Sequence, residues 1–339
     1  MRPPRFWTGK HKGPLAPVAT TLLTPLSSLY AWAGARRIRR TTPTEVPPTV
    51  ICIGNLSVGG TGKTPIAIAA LDLLRGRDIR AHAVTRGYGG TLSGPVRVDL
   101  DRHTARETGD EPRLLSRAAP TWISHDRVFG ARQAAAAGAT AVVLDDGYQN
   151  PRLAKDFSLL VIDAEAGWGN GRVFPAGPLR EPVSAGLKRA SAVIVMLPDP
   201  EYVPDLDALG LAEVEIPVLL AWLEPKAPPP KGPLLAFAGI GRPQKFYSTL
   251  TRAGGEIVET RDFPDHHGYS PRELGDMIDL AASHEARLIT TEKDWVRIPK
   301  EYRANIDAFP VQAAFAESAR FEALLLDAMD ARPRLGLDR

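Results

Sequence analysis

Short apolar runs alternate with helical patterns along the first two thirds of the chain. Apolar runs of about 4–8 residues bounded by turn residues are typical of buried strands. We predict such strands at 50–53, 81–85, 141–144, 158–162 and 192–196, and helices at 66–74 and 127–137. Because strands that alternate with helices form βαβ units, this pattern predicts an α/β fold with a doubly wound, mostly parallel sheet.

Proline residues separate this region from a second unit. Residues 198–233 are rich in proline and include the run 228–230, which is typical of a linker. Apolar runs at 234–238, 255–260 and 286–291 predict a second, smaller α/β domain, and 316–329 predicts a final helix. The predicted organisation is an arm 1–45, a core domain 46–220, a linker 221–233, a C-terminal domain 234–312 and a C-terminal helix segment 313–339 that could pack on the core.

The arm has an amphipathic pattern. It is uncharged from 13 to 35, and apolar residues recur there at three- and four-residue steps. This spacing predicts an amphipathic, membrane-associating helix, with aromatic residues as interfacial anchors. Prolines interrupt the segment and argue against a membrane-spanning helix. The alternatives are a signal peptide and a helix packed on its own domain. The apolar positions are Leu15, Val18, Leu22, Leu26 and Leu29; the anchors are Trp7, Tyr30 and Trp32; the prolines are Pro14, Pro17 and Pro25.

The distribution of charge along the chain indicates the kind of partner that the arm binds. The net charge of +3 is uneven, because residues 1–40 contain eight Lys or Arg and no acid, leaving 34 basic and 39 acidic residues for the remainder. A basic arm on a mildly acidic body favours an anionic partner, either a membrane surface or nucleic acid. The single cysteine, Cys52, excludes an intrachain disulfide and fits a reducing compartment.

The first predicted strand leads into a glycine-rich loop that predicts a phosphate-binding site. The loop contains Gly59, Gly60, Thr61, Gly62, Lys63 and Thr64 and is followed directly by a predicted helix. Backbone N–H groups of such a loop bind phosphate oxygens, the lysine reaches the β- and γ-phosphates, and the threonine hydroxyl can ligate Mg²⁺. Ser57 stands where the usual pattern has its first glycine. An ordinary glycine-rich turn is the alternative interpretation.

Acidic and histidine residues elsewhere add candidate chemistry. Asp145 and Asp146 follow a predicted buried strand, where a carboxylate can hold Mg²⁺ beside a phosphate loop. Asp110 stands in a polar turn before a helix, which is also where acids are stabilised for purely structural reasons. In the second unit, His266 and His267 follow Asp265. No cysteines or further ligands stand at suitable spacing for zinc, so a histidine oriented by a carboxylate as general base fits better than a metal site.

With these motifs identified, the chain resembles the tetraacyldisaccharide 4′-kinase family. The resemblance runs from the arm to the last strand. It rests on the motifs at 54–65, 86–88, 109–112, 145–149, 175–181, 263–266 and 291–294. Hydroxyl residues are usual in the family at the position of Ser57. The mapping leaves the role of His267 open.

The resemblance implies a P-loop kinase at the cytoplasmic face of the bacterial inner membrane, bound peripherally. Such an enzyme transfers the γ-phosphate of ATP to the 4′-hydroxyl of a lipid disaccharide 1-phosphate and gives lipid IVA in lipid A biosynthesis. It implies a catalytic pair at Asp110 and His266, with ATP and Mg²⁺ as cofactors. The candidate magnesium ligands are Thr64, Asp145, Asp146 and Glu181.

Two other functions compete with a lipid kinase. A nucleotide-dependent switch or metallochaperone could use the same loop to act on a protein partner, but it needs neither a hydroxyl acceptor nor a membrane arm. A nucleic-acid-binding ATPase could use the arginine clusters, but interleaved aromatic residues and a basic body are missing from the sequence. We therefore expect a membrane surface and a lipid disaccharide as partners, and no nucleic acid.

Overall fold

A computed structural model of the chain describes residues 4–8 and 15–331, and within these ranges the strands form two sheets. The predicted arm residues Arg2, Lys10, Lys12 and Pro14, the side chains of Arg5 and Leu15, and the end of the predicted C-terminal segment lie outside the described part. The strands are β1 (Thr49–Gly54), β2 (Ala81–Thr85), β3 (Val96–Arg97), β4 (Thr121–Ile123), β5 (Ala141–Asp145), β6 (Phe157–Asp163), β7 (Ala192–Met196), β8 (Val218–Pro225), β9 (Pro233–Ala238), β10 (Glu256–Asp262), β11 (Arg287–Thr291), β12 (Ile306–Phe309) and β13 (Val311–Phe315).

Helices connect the strands and flank the sheets. They are α1 (Leu15–Arg40), α2 (Lys63–Gly76), α3 (Ala105–Thr108), α4 (Asp110–Ala118), α5 (Arg127–Ala136), α6 (Val183–Leu187), α7 (Pro243–Arg252), α8 (Pro271–Ser283), α9 (Glu292–Trp295) and α10 (Ser318–Asp330), with 3-10 helices at Arg5–Thr8 and Lys300–Asn305. The α/β prediction is confirmed.

The large sheet has the order β13-β8-β7-β6-β1-β5-β2-β4-β3. Its central strands are parallel, and only the outer pairs β13–β8 and β3–β4 are antiparallel. Both faces are covered: α2 and α10 pack on one core, and α5 packs on the other. Burial on both faces explains why these strands are continuous apolar runs. The predicted doubly wound, mostly parallel sheet is confirmed.

Strand order places β1 in the middle of the large sheet, between β5 and β6. Parallel strands end at the same edge, so the loop after β1 and the acids after β5 lie beside each other. Ligands of open α/β sheets bind at this edge, outside the carboxyl ends of the strands. The topology therefore brings the phosphate loop and the predicted magnesium ligands together.

The second unit is a four-stranded parallel sheet with the order β10-β9-β11-β12, and apolar clusters cover both faces. It is inserted into the first unit, because the chain enters it after β8 of the large sheet and returns with β13, which pairs with β8. The predicted linker 221–233 thus begins inside β8, and the connection proper is 226–232. Likewise β13 adds to the large sheet, although the predicted C-terminal domain extended to 312. Helix α10 packs on the large sheet.

Helix α1 lies against the first unit through hydrogen bonds and a group of aromatic rings, and one of these bonds joins Arg37 to the Gln149 carbonyl at 3.3 Å. The Ser27 hydroxyl accepts a hydrogen bond from the Ala176 N–H at 3.0 Å. Tyr30 contacts the Phe174 ring. Trp7, predicted to be an interfacial anchor, is instead buried: it packs on Phe174, and its indole N–H donates to the carbonyl of Pro175 at 3.1 Å. The anchor prediction for Trp7 is wrong, because the loop at 170–177 covers this ring.

The predicted apolar positions of α1 whose side chains are described face solvent. Leu22 is 73% exposed, and Val18, Leu26, Leu29 and Trp32 are also more than half exposed. The basic residues Arg37, Arg39 and Arg40 lie in the last turn. No helix in the described ranges is both long and apolar enough to cross a membrane.

Candidate active site

The loop between β1 and α2 has the backbone conformation that its glycines predict. Gly59 has φ of +126° and Gly62 has φ of +89°, a region that side chains with a Cβ rarely adopt. Gly62 precedes the first helical residue, Lys63, in a left-handed conformation. A Cβ on Gly62 would also lie 3.1 Å from the Met196 side chain. Glycine is therefore required where the chain turns into the helix, and the turn leaves the N-terminal amides of α2 facing outward.

Two polar atoms near this loop are buried without a partner among the described residues. They are Asn55 Oδ1 and Thr61 Oγ1. Buried polar groups are nearly always hydrogen-bonded, so an orphaned one in a loop indicates a missing ligand or ion. The Asn55 amide is held at its other end, where Nδ2 donates to the Gly59 carbonyl at 3.4 Å. The Thr61 hydroxyl can donate a hydrogen bond to a phosphate oxygen, whereas Asn55 Oδ1, which only accepts, suits a water or a cation.

Asp145, at the end of β5, faces the first turn of α2. Its Oδ2 accepts a hydrogen bond from the Thr64 hydroxyl at 2.9 Å, and its Oδ1 is buried without a partner. Burial, together with the negative charges of Glu111 and Asp146, raises the pKa of this carboxyl to about 7. Because the ionised form of Asp145 is unfavourable in these surroundings, a divalent cation bound here would stabilise it.

The other predicted magnesium ligands are engaged by arginines. Asp146, which has φ of +59°, pairs with Arg180 at 3.0 Å. Although burial opposes ionisation, Lys63 and Arg180 hold the pKa of Asp146 below its ordinary value. Glu181 is buried, and its Oε1 accepts hydrogen bonds from Arg189 at 2.8 Å and from the Gln149 amide at 3.1 Å.

These contacts bear on how a magnesium ion would be held. Within residues 4–8 and 15–331, no three His, Cys, Asp or Glu side chains come together as a metal cluster. Mg²⁺ in nucleotide sites takes one or two protein ligands, with phosphates and waters completing the octahedron. Thr64 and Asp145 fit that donor set directly. Asp146 and Glu181 remain predictions as ligands, since each already has an arginine partner.

Asp110 begins α4 and is brought to the same edge of the sheet by tight backbone packing. The preceding Gly109 has φ of +83°, and a Cβ there would lie 2.4 Å from the Tyr88 carbonyl oxygen in the loop after β2. Because β2 is next to β5, this contact places α4 beside Asp145. The effect of Glu111 on the pKa of Asp145 reflects that proximity.

Asp110 is only 3% exposed and lies among basic side chains of the second unit. Its Oδ2 is 2.6 Å from Arg297 Nη2, 3.1 Å from His266 Nδ1 and 3.8 Å from Lys293 Nζ. Burial alone would raise the pKa of Asp110, but the His266 hydrogen bond and the charges of Lys293 and Arg297 hold the pKa far below its ordinary value. Asp110 is therefore a fixed anion.

His266 lies in the left-handed region, with φ of +59°, and its side chain is 28% exposed. Its Nδ1 faces Asp110, whereas its Nε2 lies 3.8 Å from the Asp265 carboxylate, and the Tyr88 ring packs edge-on at 5.6 Å. An Nδ1–H donated to Asp110 leaves Nε2 free to accept a proton. His267 instead contacts Glu273 at 3.0 Å. The structure thus brings Asp110 together with His266 and not with His267.

Three contributors to this site were missed by sequence reasoning. Lys293 and Arg297 lie on and just after α9, and Glu111 contacts Lys293 at 3.3 Å. The available signals were the 109–112 motif, which contains Glu111, and the 291–294 motif, which contains Lys293 and lies at the end of a predicted strand, where functional groups collect in α/β folds.

The chain is similar to known proteins over almost its whole length. The family model of the tetraacyldisaccharide-1-P 4′-kinase matches residues 19–330. The chain is 52% identical to the tetraacyldisaccharide 4′-kinase of Maricaulis maris over 98% of this chain and 97% of that protein. It is 51% identical to the protein of the same name from Caulobacter vibrioides, over 95% of this chain and 97% of that one.

A solved structure is also similar. It is the "apo" form of LpxK from Aquifex aeolicus in complex with ATP, with a TM-score of 0.71 and 25% identity, covering 91% of this chain and 99% of that chain. The chain belongs to the tetraacyldisaccharide-1-P 4′-kinase family.

Proposed function

We propose that the protein transfers the γ-phosphate of ATP to the 4′-hydroxyl of a tetraacylated glucosamine disaccharide 1-phosphate, giving lipid IVA. One observation carries the proposal beyond family membership. The Asp110–His266 pair, contributed by two different units, lies next to Glu111, whose charge acts on Asp145, the partner of Thr64 at the phosphate loop. A phosphoryl donor and a proton acceptor for the attacking hydroxyl are therefore supplied at one place.

The nucleotide would be held by residues 59–64. Backbone amides of the loop and of the first turn of α2 would bind its phosphates, and Lys63 would supply a positive charge at the β- and γ-phosphates. Thr64 and Asp145 would hold Mg²⁺, which when bound neutralises charge on the phosphate oxygens. Charge placement and alignment are the main contributions a protein makes to phosphoryl transfer.

His266 would accept the proton of the 4′-hydroxyl through Nε2. Asp110 orients the imidazole through Nδ1 and stabilises the imidazolium that forms. Because the two residues come from different units, the base is complete only when the units are apposed as they are in this structure. Such an arrangement limits transfer of phosphate to water when no acceptor is present.

The lipid acceptor and the membrane would be reached through α1. Its exposed apolar side chains and the basic last turn suit peripheral binding at the anionic, cytoplasmic face of the bacterial inner membrane. We therefore propose a peripheral location, with a lipid disaccharide and the membrane surface as partners and no nucleic acid. A switch or metallochaperone is not favoured, because neither role uses a proton acceptor beside the phosphate loop.

The test incubates the purified full chain with ATP, Mg²⁺ and the disaccharide acceptor in detergent micelles and measures phosphorylation of the acceptor. The expected product is the disaccharide with one phosphate gained at the 4′ position. His266→Ala should cut kcat by about 10²–10⁴-fold with little change in ATP affinity, whereas His267→Ala serves as the matched control. ATP hydrolysis that proceeds equally well without any lipid acceptor would instead support a switch.

A further inference from the structure

Arg297 uses all three of its guanidinium nitrogens in fixed contacts. Nε and Nη2 donate to Asp110 Oδ2 at 3.0 and 2.6 Å. Nη1 donates to Asp294 Oδ1 at 2.9 Å and to the Gly239 carbonyl at 3.0 Å. The side chain is 8% exposed. Because hydrogen bonds fix the guanidinium on both sides, it has one available orientation. It therefore sets the position of Asp110 relative to the second unit.

Asp294 fixes the side of the guanidinium that faces away from Asp110. It is fully buried, and its Oδ1 also accepts hydrogen bonds from the Tyr269 hydroxyl at 2.7 Å and from the Gly239 amide at 3.0 Å. Its Oδ2 accepts from the Thr291 hydroxyl at 2.7 Å. Every oxygen of the carboxylate is therefore engaged, and a carboxylate so constrained can hold an arginine in one geometry.

The Gly239 peptide links Arg297 to the base itself. Its carbonyl accepts from Arg297 Nη1 and also from the backbone N–H of His266, at 3.1 Å. The arginine that orients the Asp110 carboxylate and the backbone that carries His266 are thus positioned against the same peptide group. This closes a ring of contacts from Asp110 through Arg297 and Gly239 to His266 and back to Asp110.

We propose that Arg297 is a positioning residue that holds the Asp110 carboxylate against His266, and that Asp294 in turn holds Arg297 in place. The inference rests on the proposed role of the Asp110–His266 pair. Neither Arg297 nor Asp294 touches the reacting atoms. Their function is to keep one carboxylate oxygen, Oδ2, on Nδ1 of the imidazole while the two units meet.

A simple clamp between the units is the competing explanation, and the chain contains a suitable comparison. Arg117 of the first unit pairs with Glu292 of the second at 3.4 Å and is partly exposed. A clamp and a positioning residue both cross between the units, but only the latter touches Asp110. Loss of a clamp weakens closure and raises KM, whereas loss of a positioning residue lowers kcat.

The experiment compares Arg297→Gln, Arg297→Lys and Asp294→Asn with the control Arg117→Gln in the acceptor phosphorylation assay. We expect Arg297→Gln to lower kcat by about 10- to 100-fold, the usual scale for a residue that orients a functional group, with KM for ATP unchanged. Arg297→Lys should show a smaller loss of kcat than Arg297→Gln, because lysine supplies the charge but not the two-nitrogen geometry. Added guanidinium ion should restore part of the Arg297→Gln activity. His266 and Lys293 still face Asp110 in that variant, so we expect it to fold.

Double variants separate this inference from the proposed function. Asp110→Asn with Arg297→Gln should be no slower than Asp110→Asn alone, since Arg297 acts through that carboxylate. Three results would overturn the positioning role: multiplicative losses of kcat in the double variant, a kcat of Arg297→Gln equal to that of Arg117→Gln, or an effect of Arg297→Gln confined to KM. If Arg297→Gln fails to fold, a normal kcat in both Arg297→Lys and Asp294→Asn would overturn it as well. A normal kcat in Asp110→Asn and His266→Ala would instead overturn the proposed base.

Discussion

Replacing Asp145 by asparagine should change how the stability of the metal-free protein depends on pH. In the folded chain, burial and the charges of Glu111 and Asp146 raise the pKa of Asp145 from 3.8 to about 7. The folded state then binds a proton that the unfolded state has released, so the free energy of unfolding falls as pH rises between these two values. At about 1.4 kcal/mol for each pH unit, the full effect is roughly 4 kcal/mol. Roughly 2–3 kcal/mol of it lies between about pH 5 and about pH 8.

Asparagine has no such titration, and it can still accept the Thr64 hydrogen bond. Any fixed penalty for a buried amide is the same at both pH values and cancels in the comparison. We therefore expect the stability of Asp145→Asn, measured relative to the unsubstituted protein, to rise by about 2–3 kcal/mol from pH 5 to pH 8.

The assay is urea unfolding in the presence of a chelator, at several pH values, for both proteins. Adding Mg²⁺ and ATP should stabilise the unsubstituted protein far more than the variant, because binding favours the ionised carboxylate. A stability difference that does not vary with pH, or that moves against asparagine as pH rises, would refute the reasoning about this carboxyl.

Three further predictions follow from individual contacts. Lys63→Ala should abolish phosphoryl transfer with the fold intact by circular dichroism, because no other loop side chain places a positive charge at the β/γ-phosphates; near-normal turnover would contradict the loop assignment. Gly54→Ala should destabilise the protein by about 1–3 kcal/mol in urea unfolding, because its Cβ would lie 2.4 Å from Tyr148 Cβ, and unchanged stability would argue against this close packing. Leu22→Ser with Leu29→Ser should reduce binding to anionic vesicles by about 100-fold or more, and undiminished binding would exclude α1 as the membrane contact.

Sequence patterns predicted the buried strands best. Strands β2 and β7 have the predicted limits, and β1 differs by one residue at each end, because continuous apolar runs flanked by loops have few alternatives. Strand β8 was missed since its apolar run stands among prolines, which made the segment read as a linker. Strands β12 and β13 were both missed, because each is short, with four and five residues, and only Pro310 separates them.

In the candidate site, too, some residues could be predicted from the sequence and others could not. The phosphate loop is local in sequence, so Lys63, Thr64 and the acids after β5 could be placed from motifs and strand order. Arg297 could not, because its partner Asp110 is 187 positions away and nothing near either residue specifies the other. Trp7 was misassigned for a related reason, since the ring that buries it belongs to a distant loop. Long-range side-chain partners depend on tertiary packing, which local periodicity does not encode.

The insertion of the second unit between β8 and β13 has a consequence for the order in which the chain can fold during synthesis. Residues 233–309 are contiguous and form a complete sheet, whereas the first unit requires both β13 and α10 from the end of the chain. Phe321 and Leu325 of α10 are buried in the core that also holds α2. A ribosome-bound chain therefore keeps this apolar face uncovered until α10 emerges. Once residues 233–309 have emerged, the inserted unit can fold, whereas the phosphate-binding unit still lacks β13 and α10 and should need a chaperone to shield its apolar face.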